Sequence, residues 1–421
     1  MVEGWKKDKF KNQIQNKSGY TWSKEQELKT KAINSVRVLT VSNIQTELDL
    51  SEELYLQNVS DKDKNEKIVN KDWCIAVSSN GNRKRIGNAV FIKNDTDYLF
   101  ASFLTALKPK DSSDILPEYF FRWLTSYNVQ ERISSVSEGT TGLGNLDMRY
   151  LRNIDINYPE SITEQASIAN ILSKVDEAIE SVKKSIAAAE KLKKSLMQNL
   201  LTGRMKPDGT LRTEEEFYED EKFGKVPIGW EVKKVKNCFK FKNGKGNTTS
   251  NLKEIPDDEY CVPVYGGNGI TGYYHSALLN KPTIIIGRVG EYCGNVFKTP
   301  EKSWVTDNAM LVSEVLMQDY NIDFFTIKLN SLNFKQYSDS TGQPKITQGS
   351  IGGIFITYPV KIEEQNKIIY LIDNISNNIQ QKQTQIITLE RLKKSLMQNL
   401  LTGKVRVGEE LCLHNQIRPI I

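Results

Sequence analysis

Three stretches of the 421-residue chain hold residue types at spacings that suggest chemistry. Gly267, Gly269 and Gly272 follow the Gly-x-Gly-x-x-Gly order of a dinucleotide-binding turn, and Glu291 lies about twenty residues further on, where a ribose-binding acid would sit. That chemistry requires a helix opening at the third glycine, so that its N-terminus holds the pyrophosphate. Here Tyr273-Tyr274-His275-Ser276 leads instead to Lys281-Pro282 and a strand-like run. Pro207-Asp208 followed by Asp220-Glu221-Lys222 has the residue types of a nuclease metal site. Such ligands must lie on adjacent strands to hold Mg²⁺ beside a scissile phosphate, and these lie in a charged connector with no apolar strand. Cys74, Cys238, Cys261, Cys293 and Cys412 form no C-x-x-C pair, and His275 and His414 are the only histidines. A zinc site, a disulfide framework or a histidine-based triad has little to draw on, and both histidines read as ordinary loop residues. No G-x-x-x-x-G-K-[ST] loop and no Asn-Pro-Pro-aromatic run is present. The chain reads as non-catalytic.

What it does carry is a duplicated frame. Leu192 through Gly203, Leu-Lys-Lys-Ser-Leu-Met-Gln-Asn-Leu-Leu-Thr-Gly, recurs unchanged as Leu392 through Gly403. Upstream, Tyr158-Pro159 matches Tyr358-Pro359, Glu164-Gln165 matches Glu364-Gln365, and Thr141-Gly142 matches Thr341-Gly342. A register shared over about sixty residues makes the chain two copies of one module. In the first copy Ile168, Leu172, Val175, Ile179, Val182, Ile186 and Ala189 step by four and three, as in a coiled coil. The second copy answers with Ile368, Ile372, Ile375, Ile379, Ile386, Leu389, Leu392, Leu396 and Leu400. Gly203 and Gly403 are placed to end these helices, each about 60 Å long at about 1.5 Å per residue. Two narrow apolar stripes are most simply buried against each other.

The regions ahead of the helices read as mixed α/β heads. Short strands are expected at Ile154–Ile156, Ile284–Gly287 and Ile354–Ile356, and helices at Leu116–Leu124 and Ile322–Leu329. Gly4-Trp5 is echoed by Gly229-Trp230. The expected division is a head over 1–159, a long helix over 160–203, an acidic connector over 204–226, a second head over 227–359, a second long helix over 360–403 and a tail over 404–421. The 38% apolar content lies below the roughly 45–50% of compact domains, as long exposed helices require. No run of about 18 apolar residues offers a membrane span, and the start has no signal-peptide core, so a cytoplasmic protein is expected.

The Gly-Trp entry, the strand ending in Tyr-Pro, the Glu-Gln after it and the repeated Leu-Lys-Lys-Ser-Leu-Met-Gln-Asn-Leu-Leu-Thr-Gly together resemble the specificity subunit of type I restriction-modification systems. The resemblance covers nearly the whole chain. It implies an α+β protein with an internal pseudo-twofold repeat. Two mixed α/β target recognition domains each read half of a split double-stranded DNA site, and their long helices pair as an antiparallel coiled-coil spacer. It also implies two methyltransferase subunits and restriction-translocase subunits as partners, no membrane, and no cofactor on this chain. The complex would use S-adenosylmethionine, ATP and Mg. The alternative is a coiled-coil scaffold that binds proteins without DNA specificity.

DNA as ligand, taken from that resemblance, selects candidate contacts. Asn82, Arg83, Lys84 and Arg85 form a turn suited to phosphates and guanine edges, following the lysines at 6, 7, 9, 11 and 17. In the second head Gly267, Asn268, Thr271, Tyr273, Tyr274 and Arg288 occupy loops whose small residues let backbone approach a phosphate. Gln343 and Lys345 lie on a third loop, aligned with the loop of Thr141 and Asn145, so that charged Lys345 has uncharged Asn145 as its counterpart. Each has a plain reading as turn chemistry or solvated surface, and a net charge of +5 permits a nucleic acid without requiring one. Identity at the polar positions of the repeated string, beyond what a seam needs, marks Lys193, Lys194, Gln198, Asn199, Lys393, Lys394, Gln398 and Asn399 as candidates for partner docking.

Overall fold

The computed structural model describes residues 2–137, 143–246, 249–339 and 343–407. It resolves into two compact units, one formed by residues up to 184 together with those from 384 onward, the other by residues 185–383. The division falls within both long helices, Ile162–Leu201 and Ile362–Leu400. Each unit therefore holds a head, the opening half of the helix that follows it and the closing half of the other helix.

Within each unit the two helix halves run antiparallel. In the first, Ile168 and Leu172 share a core with Met397, Leu400 and Leu401; in the second, Ile368 and Ile372 share one with Leu200 and Leu201. The expected apolar seam fails at Leu392, which is 47% exposed, and the buried line passes instead through Met397. A helix of 3.6 residues per turn drifts out of a 3.5-residue repeat, and here the drift carries Leu392 off the seam. Gly203 and Gly403 close the helices at φ +71° and +70°, the left-handed conformation that glycine adopts without strain. At Gly203 a Cβ would stand 2.3 Å from Cγ of Pro227, so the position also demands the absence of a side chain.

Inside each head the shared Gly-Trp and Tyr-Pro motifs prove to be strand partners. Trp5–Lys9 pairs antiparallel with Asp155–Pro159, placing Trp5 opposite Pro159. Trp230–Lys234 pairs with Phe355–Pro359, placing Trp230 opposite Pro359. Beyond this ribbon the first head has a four-stranded antiparallel sheet ordered Ile14–Ser18, Leu104–Pro109, Cys74–Val77, Ala89–Phe91. The second head repeats that order with Phe239–Asn243, Ala309–Val315, Ile284–Gly287 and Val296–Lys298. Each head also contains one parallel strand pair, Val36–Leu39 with Leu99–Phe100 and Val262–Gly266 with Lys302–Val305. The topology is duplicated although the head sequences have diverged. The acidic connector carries a short hairpin, Phe217–Asp220 against Gly224–Pro227, which its run of charges conceals from sequence patterning.

Candidate nucleic-acid interface

The heads can present their loops only if they are held to the helices, and the repeated Glu-Gln does this. Gln165 is fully buried; its Nε2 donates to the carbonyls of Asp114 (2.8 Å) and Pro159 (2.9 Å), and its Oε1 accepts from the Leu116 N–H (2.8 Å). Gln365 repeats the latch on the carbonyls of Asp319 and Pro359 and on the Asn321 N–H. Leu116 and Asn321 are the residues that precede the head helices Pro117–Leu124 and Ile322–Ser331. The neighbouring Glu164 accepts from Arg406 at 2.6 and 2.7 Å. Glu364 accepts from Arg212 at 2.6 Å and from the Trp230 indole at 3.0 Å. Sequence identity marks Glu-Gln as shared; its role shows only once the distant carbonyls are in place.

In the first head the basic turn is a single 3₁₀ turn, Arg83–Arg85, capped by the Asn82 side chain, which accepts from the Lys84 N–H at 3.1 Å. Arg85 donates to the carbonyls of Val41 and Ile44 at 3.0 and 2.8 Å, so its guanidinium fastens one loop to another. Arg83 and Lys84 are exposed and have no side-chain hydrogen-bond or ion-pair partner among the described residues. Asn145 is brought beside this turn, since Gly144–Asn145 pairs with Ser79–Asn80, and its side chain is exposed. Thr141 lies outside the described residues. Of the opening lysines, Lys6 pairs with Asp114, and Lys7 and Lys9 pair with Asp155. Lys17 lies over the Trp73 ring at 4.8 Å.

In the second head the Gly-rich run is a β-hairpin, Val262–Gly266 and Gly269–Tyr274, with Gly267-Asn268 as its turn and no helix after it. The Thr271 hydroxyl donates to the Val264 carbonyl at 3.2 Å, within the hairpin. Gly287 packs on Gly267 so closely that a Cβ would stand 2.2 Å from the Gly267 carbonyl oxygen. The third loop joins them, with Gly290 donating to the Pro344 carbonyl (3.0 Å) and Ile346 to that of Arg288 (2.8 Å). Gly267, Arg288, Gln343 and Lys345 are thus gathered from three loops. Arg288 is half-exposed and donates to the Asp307 carbonyl at 2.9 Å, while its Nε is buried without a partner. Gln343 and Lys345 are exposed. Val289 bridges to Lys345 as Ser79–Asn80 pairs with Gly144–Asn145, so both heads set the same pair of loops side by side.

Tyr273 lies on the hairpin next to Tyr274, at the end away from the Gly267-Asn268 turn. Tyr274 sits in an aromatic group, its ring 4.0 Å from that of His275 and 5.5 Å from that of Trp304. Lys245 lies over the Trp304 ring at 5.9 Å, and the Trp304 indole donates to the Lys245 carbonyl. Sequence patterning gives no signal for this pair, because the residues meet only through the fold. Among the described residues no group of three or more histidine, cysteine, aspartate or glutamate side chains could hold a metal ion.

On the helices, Lys194, Gln198, Lys394 and Gln398 are exposed, whereas Lys193, Asn199, Lys393 and Asn399 are half-buried. The Asn199 amide donates to the Ser195 carbonyl and the Asn399 amide to the Ser395 hydroxyl. No helix among the described residues is long and apolar enough to cross a membrane.

A family model described as the type I restriction modification DNA specificity domain matches residues 3–191 and again 227–391. The chain is 30% identical to the EcoprrI type I restriction enzyme specificity subunit of Escherichia coli over 183 residues, 44% of this chain and only 42% of that one. It is 26% identical to the MjaVIII specificity subunit of Methanocaldococcus jannaschii over 343 residues, 72% of this chain and 74% of that one. In fold it is similar to the crystal structure of a type I restriction-modification S subunit from M. genitalium, with TM-score 0.57, 18% identity, and 95% and 96% of the two chains covered. A second similar structure is described as the structural basis of complex assembly and conformational transition of the type I R-M system, with TM-score 0.56, 14% identity, and 96% and 100% covered.

Proposed function

The chain belongs to the type I restriction-modification DNA specificity family, and on that premise we propose that it reads a two-part DNA target, one half-site per head, and positions methyltransferase and restriction subunits on it. The carrying observation is that the latch, the ribbon and the sheet order are built twice, whereas the loops at matching places differ: Arg83-Lys84-Arg85 with Asn145 in one head, Arg288 and Gly290 with Gln343 and Lys345 in the other. One scaffold carrying two surfaces suits two different half-sites. Base-edge contacts specify sequence and phosphate contacts set register, so Arg83, Lys84, Arg288 and Lys345 are the foremost candidates for both roles. S-adenosylmethionine, ATP and Mg belong to the partner subunits on this reading, and the bond chemistry is theirs.

Exchange of the first head, residues 1–159, for that of another specificity subunit tests the proposal. The expected outcome is one altered half-site and one retained, read from the methylation pattern of host DNA. A change in both half-sites would refute the assignment of one half-site to each head. A salt titration of duplex binding separates DNA reading from a protein-only scaffold, because counterion release makes log K fall steeply with log[salt]. Lys345→Ala is expected to lower affinity for all duplexes alike and to reduce the salt slope by about one, as loss of a single phosphate contact does. Arg288→Ala is expected to cost about 1–3 kcal/mol and to relax one position of the second half-site, as loss of a base contact does. Unchanged binding in both variants would place these loops away from DNA.

A further inference from the structure

The two copies of Leu-Lys-Lys-Ser-Leu-Met-Gln-Asn-Leu-Leu-Thr-Gly present nearly the same surface. In both, the leucine that opens the string is exposed, 54% at Leu192 and 47% at Leu392, and the second lysine, the serine and the glutamine of each copy are exposed with it. A coiled-coil seam needs none of these positions. Their surroundings, however, differ. In the first unit Lys393 pairs with Asp176 at 2.6 Å, and Asp176 also binds Arg122. The ammonium of Lys394 sits 4.0 Å from the centre of the Tyr127 ring, and Lys394 and Gln398 line a cleft with Tyr127, Asn128 and Arg132 of the head.

In the second unit Ser376 stands at the place of Asp176, counted along the repeat that aligns Ile168 with Ile368 and Leu172 with Ile372. Ser376 turns its hydroxyl to the Ile372 carbonyl. Leu332 stands at the place of Tyr127: the Ser126 hydroxyl donates to the Trp123 carbonyl just as the Ser331 hydroxyl donates to that of Lys328, which fixes the alignment. Lys193 and Lys194 accordingly have no side-chain partner among the described residues.

Building on the reading that partner subunits dock on the repeated strings, we infer that the two docking sites are inequivalent: the copy at 192–203 takes an acidic partner surface first, and the copy at 392–403 takes the second more weakly. The lysines of the first copy offer two unneutralised charges beside an exposed leucine. Those of the second must give up, or share, the Asp176 carboxylate and the Tyr127 ring. An ion pair and a cation–π contact at exposed sites are each modest, which sets the expected ratio of the two affinities at roughly tenfold.

The test is a titration of the full chain with the methyltransferase subunit of its system, read by mass photometry as successive occupancies. Wild type is expected to fill in two steps about tenfold apart, the gap shrinking in about 0.5 M salt as screening removes the charge term. The double variant Lys193→Glu with Lys194→Glu should weaken the first step, and Lys393→Glu with Lys394→Glu the second. Ser376→Asp, which gives Lys193 the acid that Lys393 already has, should weaken the first step alone. Tyr127→Leu should strengthen the second. Two equal steps in wild type, or a ratio that neither Ser376→Asp nor Tyr127→Leu shifts, would overturn the inequivalence while leaving docking on the strings intact. A single step, or two steps indifferent to all four lysines, would instead overturn the docking reading itself.

Discussion

Gln165→Met is expected to destabilise the first unit by about 3–5 kcal/mol, and Gln365→Met the second by a similar amount. Methionine nearly conserves the glutamine volume, so the loss is polar rather than a cavity. In the first unit it strands the Leu116 N–H and the carbonyls of Asp114 and Pro159, the three groups Gln165 now satisfies in a buried place. Each stranded buried group costs about 1–3 kcal/mol. Against a whole-domain stability of about 5–15 kcal/mol this is a large fraction. Hydrogen exchange of Pro117–Leu124 and Ile322–Ser331 reads the two units separately: each variant should loosen the helix of its own unit and leave the other protected. A shift below about 1 kcal/mol in either unit would show that water replaces the latch, since a solvated group loses little. If the heads read half-sites independently, each variant should also weaken recognition of one half-site only.

The latch shows where sequence reading succeeds and where it stops. Identity between the copies locates Glu164-Gln165, Tyr158-Pro159, Gly4-Trp5 and the helix-ending glycines, because a backbone conformation or a buried amide tolerates one residue type in both copies. The strands near Ile154, Ile284 and Ile354 and the helices near Leu116 and Ile322 are legible from apolar patterning, which local burial imposes. What identity cannot supply is the partner of each group. Gln165 meets Asp114 and Leu116 across about fifty residues, and Arg406 meets Glu164 from the other end of the chain. Loop residues are legible only as composition. Arg85 and Thr271 read like ligand contacts, yet both bind backbone carbonyls nearby, because an exposed-looking polar residue in a turn is as useful to the turn as to a ligand. Lys245 and Trp304 have no shared motif to expose them.

The asymmetry between the units is sharpest at one buried position, and it predicts a pH dependence. Lys328 stands where the first head has Trp123, and it is 5% exposed. Its ammonium donates to the Leu201 carbonyl (2.6 Å), at the C-terminus of the first long helix, and to the Thr357 hydroxyl (3.2 Å). No carboxylate is paired with it among the described residues, and burial pushes its pKa down to about 7, against 10.5 for an ordinary lysine. The partial negative charge of a helix C-terminus favours a cation there, but desolvation prevails. The unfolded chain therefore binds one more proton than the folded one between about pH 7 and 10.5, and stability rises with pH across that window and is flat below it. At about 1.4 kcal/mol per pH unit, Lys328 should contribute roughly 3 kcal/mol of added stability to the second unit between about pH 7 and 9.5. Lys328→Met has no proton to lose, so the difference in stability between variant and wild type should widen by that amount over the same range. Other lysines and tyrosines titrate identically in both proteins and cancel in the difference. At about pH 7 the two should be close, since methionine removes a desolvated charge but leaves the Leu201 carbonyl without its donor. Parallel stability curves from about pH 7 to 9.5, measured by hydrogen exchange of Ile322–Ser331, would mean that the ammonium stays charged in the fold and that the Leu201 carbonyl and the helix terminus outweigh its burial.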